Sequence, residues 1–216
     1  MDTFRDRADA GRRLADLLGS YAEDRPIVLG LPRGGVVTAA EIARALHAPL
    51  DVLVVRKLGA PAEPEFGVGA IAPGEVRIVD RASMRIAGMD EDDLRRVTRD
   101  ETAELERRER RYRGGRAPLD VRGRTVILVD DGIATGVTAR AAISATRRAG
   151  ATRIILAVGV CAPDTAEALR AEVDDLVCVL VPEELAAVSL YFDDFRPVDD
   201  DDVVAALALG SVAVPV

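Results

Sequence analysis

The 216-residue sequence has few aromatic residues and almost no lysine, histidine or cysteine. Aromatic residues make up 3% of the chain, against 49% for all hydrophobic residues, so Ala, Val, Leu and Ile must build the core. An aliphatic core of this kind is typical of buried parallel strands covered by alanine-rich helices. The length is sufficient for one domain with a sizeable core.

The rare residue types exclude several kinds of chemistry. The single histidine, His47, is predicted near a helix end, which argues against histidine acid–base catalysis. Cys161 and Cys178 are far apart, lie in apolar runs and have no metal-binding spacing, so we expect them to be buried hydrophobic residues.

The sequence has no apolar run of about 18 residues and no signal-like start, so no membrane partner is expected. We therefore expect a soluble, cytoplasmic protein. The net charge of −8 makes general nucleic-acid binding a poor hypothesis. Lys57 is the only lysine among 29 basic residues, a bias that a GC-rich genome would also produce.

Apolar runs alternate with helical patterns along most of the chain. Five runs predict core strands, at 26–30, 50–55, 124–130, 152–160 and 175–182. Helical patterns lie at 7–21, 36–47, 135–150 and 163–171. This alternation predicts an α/β fold with a doubly wound, mostly parallel sheet, in a single domain over 1–216.

Four segments lie outside this alternation. The stretch 56–74 is rich in Gly, Pro and Ala and predicts a mobile loop or hairpin, followed by a short strand at 76–79. Residues 90–113 predict an inserted polar helix with a solvated face. The C-terminal part, about 183–216, carries aromatic residues and an acidic run that would cap a last helix.

The stretch VILVDDGIATGVT, residues 126–138, carries the strongest functional signal. Its two acids, Asp130 and Asp131, lie at the carboxyl end of a predicted strand, where open α/β sheets bind ligands. The small residues after them lead into a helix N-terminus, whose free N–H groups favour an anion. A sugar phosphate has the matching features, a diol and a phosphate, and Mg²⁺ could share the acids.

Three other interpretations of the two acids compete. They could simply cap a helix. They could be the acids of a P-loop nucleotide hydrolase, but the sequence lacks G-x-x-x-x-G-K-[ST]. They could form a receiver-like phosphorylation pocket, but such pockets need a lysine near the end of the chain, where this sequence has none.

The motif resembles the phosphoribosyl-pyrophosphate (PRPP) motif of the type I phosphoribosyltransferases, with thirteen residues matching in order. The resemblance implies that Asp130 and Asp131 hold the ribose hydroxyls, or Mg²⁺ directly or through water. The residues that it assigns to the 5-phosphate are Ala134, Thr135, Gly136, Val137 and Thr138.

The family also implies a pyrophosphate loop after the first core strand, where this chain has GLPRGGV. Arg33, Gly34 and Gly35 would bind pyrophosphate there, in a loop that often contains a non-proline cis peptide. The family's flexible closing loop corresponds to residues 57–70, and Lys57 would join the pyrophosphate site. The alternative for Lys57 is an ordinary solvated lysine.

The family's variable base-binding hood corresponds to about 183–216, with a contribution from the N-terminus. VSLYFDDF places Tyr191, Phe192 and Phe195 close together, and Tyr191 or Phe192 could stack on a planar base. A small hood core is the alternative role for these rings.

Two departures from the family bear on the acceptor. Ala134 stands where the 6-oxopurine enzymes have an aspartate that acts near the purine, and the turn is more like that of adenine enzymes. Orotate enzymes have more lysines in the flexible loop. A narrower resemblance, to uncharacterised phosphoribosyltransferase-like proteins that share GLPRGGV, VRKLGAP and VDDGIATG, names no substrate.

The resemblance implies an enzyme that moves a phosphoribosyl group from PRPP, with Mg²⁺, to a small nitrogen nucleophile such as a nucleobase. Two alternatives use the same phosphate site: a regulatory PRPP binder without turnover, and another reaction on a phosphorylated ribose. Homodimers are usual in the family, although the sequence itself does not specify an oligomeric state.

Overall fold

A five-stranded parallel sheet forms the centre of the computed structural model, which describes residues 2–210. In chain order the strands of the fold are β1 Ile27–Gly30, β2 Leu50–Val52, β3 Arg56–Ala60, β4 Glu63–Ala72, β5 Val76–Val79, β6 Thr125–Ile133, β7 Arg153–Cys161 and β8 Asp175–Leu180. The central sheet has the order β2-β1-β6-β7-β8 with every pair parallel, and β3, β4 and β5 form a separate antiparallel sheet.

Helices cover both faces of the central sheet, which confirms the doubly wound arrangement. In chain order they are α1 Arg7–Leu18, α2 Gly34–Leu46, α3 Arg81–Ile86, α4 Glu91–Arg113, α5 Val137–Arg148, α6 Pro163–Arg170 and α7 Asp200–Gly210. Side chains of β6 alternate between the two faces: Ile127 and Val129 pack with α1 and α2, and Val126 and Leu128 pack with α5 and α6. The core is aliphatic, as the composition predicts.

Several element boundaries differ from the predicted ones. The first helix ends at Leu18 because the chain tightens into a 3₁₀ helix, Gly19–Asp24. Strand β6 continues to Ile133 rather than ending at 130, so both acids lie within it. Helix α5 starts at Val137, because Gly136 caps it with a φ of 75°. Helix α3 has no predicted counterpart.

The stretch 56–74, predicted to be a mobile loop or a hairpin, forms a hairpin of β3 and β4, and this hairpin includes most of the predicted closing loop 57–70. β3 and β4 pair antiparallel, with Lys57 opposite Ala70, and β5 extends the sheet at the predicted position. Arg56 ties the hairpin to α4 through Glu101, with Nε and Oε2 2.7 Å apart. Closure of this segment over a substrate stays a prediction.

The helix predicted at 90–113 is present as α4. Its charged residues form a solvated face, but the helix also has a buried side. Asp90 caps it by accepting a hydrogen bond from the Asp93 amide at 2.8 Å. Three i,i+4 ion pairs form along it, as the spacing of its charges predicts: Glu104–Arg108, Glu106–Arg110 and Glu109–Arg113. Leu94, Leu105 and Tyr112, however, are buried against the hairpin side of the core.

One ion pair of α4 is buried and joins the helix to the edge of the sheet. Arg113 contacts Asp51 of β2 at 3.2 Å and donates to the Val52 carbonyl at 2.6 Å. The side chains of Arg113 and Asp51 are only 9% and 8% exposed. Asp51 also accepts a hydrogen bond from the Leu119 amide at 3.0 Å, which fastens the chain after α4.

We expect Arg113→Met to lower the free energy of unfolding by about 3–5 kcal/mol, because it leaves the Asp51 carboxylate buried without its cation. Arg110→Met is the matched control, because Arg110 is on the exposed face and pairs only loosely with Glu106 at 3.6 Å. Urea denaturation of both variants measures the difference. Equal midpoints for the two variants would contradict this role of the buried pair.

The C-terminal segment that corresponds to the family's hood packs against the start of the chain. It is called the hood below, and its role in binding a base stays a prediction. Phe4 forms a parallel bridge with Phe192, and its amide donates to the Tyr191 carbonyl at 2.8 Å. Asp199 caps α7 by accepting from the amides of Asp201 and Asp202, so the acidic run has its predicted role. The predicted hood residues 211–216 lie outside the described residues.

Candidate functional site

Two loops meet at the carboxyl edge of the central sheet because β1 and β6 are parallel neighbours. Gly30 is opposite Val129, and the amide of Leu31 donates to the Val129 carbonyl at 2.9 Å. The loop after β1 therefore runs beside Asp130 and Asp131. The structure thus brings the two predicted anion-binding segments to one place.

Glycines allow the close approach of these segments. A Cβ at Gly35 would lie 2.6 Å from the Val129 carbonyl oxygen and 2.9 Å from Cα of Asp130. A Cβ at Gly34 would overlap the carboxylate of Asp131 and lie 2.6 Å from Nε of Arg7. Only residues without a side chain fit here, so the backbone of this loop packs directly against the two acids.

The two acids differ in their surroundings. The Asp131 amide donates to Oδ1 of Asp130 at 2.9 Å. Burial of the Asp130 carboxyl, and then the neighbouring charge of Asp131, raise the pKa of Asp130 well above its usual value. Asp131 instead faces a cation: Oδ2 lies 2.5 Å from Nε of Arg7.

The turn from β6 into α5 leaves a helix N-terminus without a side-chain cap. The five residues predicted to bind the 5-phosphate lie in this turn and the start of α5: Ala134, Thr135, Gly136, Val137 and Thr138. Ala134 and Thr135 are exposed, and the Thr165 hydroxyl fixes the turn by donating to the Ala134 carbonyl at 2.6 Å. The amides of the first helical turn are thus available to an anion.

The loop after β1 carries an exposed cation. Arg33 directly precedes α2, and the Pro32–Arg33 peptide bond is cis, the feature that the resemblance implies for this loop. Within residues 2–210, the Arg33 guanidinium forms no salt bridge with a carboxylate. A charged side chain and the first amides of α2 therefore lie at the edge that also carries the acids.

Lys57 lies apart from these loops. Its amino group donates to the Glu65 carbonyl at 2.8 Å and lies 3.3 Å from a Glu65 carboxylate oxygen, within the hairpin. The structure therefore does not join Lys57 to Arg33, Gly34 and Gly35. A pyrophosphate role for Lys57 stays a prediction that requires the hairpin to move.

Tyr191 and Phe192 lie in the hood core, which is the alternative role predicted for these rings. Both are 6% exposed and pack with Phe4, whose ring centroid is 5.0 Å from that of Phe192. The Tyr191 hydroxyl donates to the Glu184 carbonyl at 3.2 Å. Because these rings are covered by protein, this packing gives no support to stacking on a base.

Arg7 is a site residue that the sequence reasoning missed. Its guanidinium binds Asp131, donates to the Arg196 carbonyl at 2.8 Å and lies 3.8 Å above the Phe195 ring. The chain separation of 124 residues from Asp131 leaves no local signal. One of many arginines, at the start of an ordinary helix, could not have been singled out from sequence.

A cavity of about 490 Å³ lies beside Arg7, between the start of α1, the hood and α7. The residues that line it include Asp6, Asp194 and Asp202 together with the apolar residue Val37. A larger cavity of about 680 Å³ lies between β2, the chain at 117–122 and the end of α5, and contains none of the predicted site residues.

Residues 2–210 contain no cluster of three or more His, Cys, Asp or Glu residues able to hold a metal ion by protein ligands alone. None of the helices in that part of the chain combines the length and the apolar character needed to cross a bilayer.

A model of the phosphoribosyl transferase domain matches residues 7–193. A relative from Mycobacterium tuberculosis strain CDC 1551, named "Putative phosphoribosyl transferase MT0597", is 44% identical over 207 residues. That alignment covers 96% of this chain and 47% of the relative, so the chain spans about half the length of the curated relatives it matches.

Solved structures agree on the fold. TT1426 from Thermus thermophilus, whose crystal structure is known, has 43% sequence identity to this chain and a TM-score of 0.79. The match covers 96% of this chain and 98% of that one. The AQ2163 protein from Aquifex aeolicus is 11% identical with a TM-score of 0.53, over 96% of this chain and 87% of that one, and shares the fold alone. The chain therefore belongs to the phosphoribosyl transferase family, a family of pentosyltransferase enzymes.

Proposed function

We propose that this chain transfers the 5-phosphoribosyl group of PRPP to a nitrogen nucleophile, a nucleobase, and releases pyrophosphate. The observation that carries the proposal is the meeting of two glycine-lined anion loops with the acids Asp130 and Asp131 at one edge of the sheet. PRPP combines the three groups that such a site would bind, a phosphate, a diol and a pyrophosphate, in one small molecule.

Each part of the donor has a partner in this proposal. The 5-phosphate binds the uncapped N-terminus of α5 and the turn before it, residues 134–138. The ribose hydroxyls donate to Asp130 and Asp131. The pyrophosphate binds Arg33 and the backbone amides of Gly34 and Gly35.

Asp130 and Asp131 suit an Mg²⁺ ion that binds as a complex with PRPP, rather than an ion held by protein ligands alone. Mg²⁺ is commonly bound by one or two carboxylates together with substrate phosphates and water. Asp130 and Asp131 supply two such carboxylates. A site made of protein ligands alone would need three or more, and residues 2–210 contain no such group. When bound, the ion would neutralise charge on the pyrophosphate.

Catalysis then consists of positioning and charge stabilisation. As pyrophosphate leaves, the C1–oxygen bond breaks and its electron pair departs with pyrophosphate, so C1 gains positive character. A nitrogen lone pair then forms the new bond, and the N–H proton of the acceptor is released with the pyrophosphate. The carboxylates hold the sugar ring while Arg33 and the loop amides stabilise the negative charge that develops on the leaving group. The acceptor nitrogen must reach C1 of the bound sugar at this same edge of the sheet.

A pyrophosphate-release screen tests this proposal. The chain, Mg²⁺ and PRPP are incubated with single nucleobases and small amines, and we expect release above the acceptor-free rate with at least one nucleobase. Binding of PRPP without release for any acceptor would instead support the regulatory alternative. Release that is equally fast without acceptor would indicate hydrolysis.

A further inference from the structure

We propose that the cavity of about 680 Å³ beside β2 is a second ligand-binding site, for a small amphipathic anion with an apolar body and one acidic group. None of the residues assigned to PRPP lines this cavity. The inference therefore goes beyond the proposed function and can be tested without it. The volume lies within the range of roughly 300–1,000 Å³ that is usual for small-molecule sites.

The outer wall of the cavity is the irregular chain at 117–122, and hydrogen bonds hold this wall in place. The Leu119 amide donates to Oδ2 of Asp51 at 3.0 Å, which fixes the wall to β2. Just beyond the wall, the Gly123 amide donates to the Gly150 carbonyl at 2.9 Å, which fixes it to the chain after α5. Because both ends of the wall are fastened, a ligand finds the cavity already formed.

Most of the residues that line the cavity are apolar, and one of them is left open to water. Leu29, Leu53 and Val121 line it and are buried in the protein. Leu119 also lines it, but this large hydrophobic side chain is 38% exposed. A ligand with an apolar body would cover Leu119 and remove its surface from water, which favours binding.

The charged residues of the lining leave one cation for a ligand. Five of the six form ion pairs among themselves: Arg113 with Asp51 at 3.2 Å and Glu109 at 2.6 Å, and Arg122 with Asp120 at 3.0 Å. The sixth is Arg148 in the last turn of α5, which forms no salt bridge within residues 2–210. A single acidic group that reaches Arg148 completes the pairing.

These two features together select the class of ligand. The six formal charges of the lining sum to zero, so a multiply charged molecule such as PRPP would bring charges that find no partner and would leave the apolar lining uncovered. A neutral apolar molecule would cover the lining but leave Arg148 without an anion. A carboxylate or sulfonate on an aromatic or aliphatic body satisfies both.

Anilinonaphthalene sulfonate is a suitable probe, because it joins an aromatic body to one acidic group and its fluorescence reports binding. Phenylnaphthylamine is its uncharged counterpart. We expect the folded chain to bind the sulfonate at one saturable site. Arg148→Gln should weaken binding of the sulfonate about fivefold, as expected for one ion pair near the surface, and leave binding of the uncharged probe unchanged.

Arg170→Gln is the matched control for the charge. Arg170 is likewise an exposed arginine in the last turn of a helix, α6, forms no salt bridge within residues 2–210 and does not line the cavity. This variant should bind both probes as the wild type does. Equal weakening by Arg148→Gln and Arg170→Gln would show a general effect of surface charge and overturn the inference.

Ala149→Trp tests the location by filling part of the cavity. Ala149 lines the cavity and is the exposed C-cap of α5, with φ −72° and ψ −4°. Ala171 is the exposed C-cap of α6, with φ −74° and ψ −13°, and lies outside the cavity lining. We expect Ala149→Trp to weaken binding of both probes by at least about tenfold and Ala171→Trp to leave it unchanged. Thermal melting checks that the variants are folded.

A competition experiment separates this site from the donor site. Excess Mg²⁺–PRPP should not displace the bound sulfonate, because the residues assigned to PRPP lie outside the cavity. Displacement by PRPP, the absence of saturable binding, or binding that is the same in Arg148→Gln, Ala149→Trp and their controls would each overturn the inference. These results do not depend on turnover, so failure of the transferase proposal and failure of this inference are distinguishable.

Discussion

Replacing both acids, Asp130→Asn with Asp131→Asn, should abolish binding of PRPP in the presence of Mg²⁺. The donor would lose two hydrogen bonds to charged acceptors and the carboxylate charge that attracts Mg²⁺. Hydrogen bonds to charged groups contribute about 1.5–3 kcal/mol each, so the dissociation constant should rise about a hundredfold or more. Equilibrium dialysis with labelled PRPP measures the change directly.

The control for this variant is a second adjacent acid pair with the same change of charge. Asp92 and Asp93 lie in the first turn of α4, where they form i,i+3 pairs with Arg95 and Arg96 on the surface. Asp92→Asn with Asp93→Asn should leave PRPP binding unchanged. A folded Asp130/Asp131 variant, checked by thermal melting, that still binds PRPP as the control does would remove the basis of the proposed function.

Gly35→Ala should destabilise the chain and also impair donor binding. The added methyl would meet the Val129 carbonyl at 2.6 Å and Cα of Asp130 at 2.9 Å, both of them backbone atoms that cannot rotate away. Either the loop or β6 must shift, at a cost of about 1–3 kcal/mol in the free energy of unfolding. The same shift separates the backbone of the loop from β6 and the acids, so PRPP binding should weaken together with stability.

Gly19→Ala separates this effect from the general consequence of replacing a glycine. Gly19 has a helical backbone, with φ −53° and ψ −37°, and no atom lies within 4 Å of the added Cβ. The substitution should raise the free energy of unfolding by about 0.4–1 kcal/mol, because it restricts the unfolded chain. Urea denaturation compares the two variants, and a Gly35→Ala chain as stable as Gly19→Ala would show that the close approach is not needed.

The parts of the fold that could be predicted from sequence are those whose signal is local. β6 and α5 are contiguous, so the apolar run, the acids and the Gly/Thr turn appear in order along thirteen residues. Buried parallel strands are continuous apolar runs, which is why all five strands of the central sheet were found. The i,i+4 ion pairs of α4 also follow from spacing alone.

The parts that could not be predicted depend on contacts between distant residues. Arg7 contacts Asp131 in a structure in which α1 packs against α2, and nothing near Arg7 in the sequence marks that contact. Phe192 could face either a base or a hood core, and packing against Phe4 from the other end of the chain decides for the core. Lys57 was singled out by its rare residue type and by its place in the predicted closing loop, and the contact of its amino group with Glu65 depends on how the hairpin folds.

The measurement that tests the central claim most directly is a calorimetric titration of the wild-type chain with PRPP, with and without Mg²⁺. The account predicts saturable binding of one PRPP per chain that strengthens when Mg²⁺ is present, because two aspartates and the donor's phosphates share the ion. No heat of binding under either condition, with a chain shown to be folded, would contradict the account and leave only the fold.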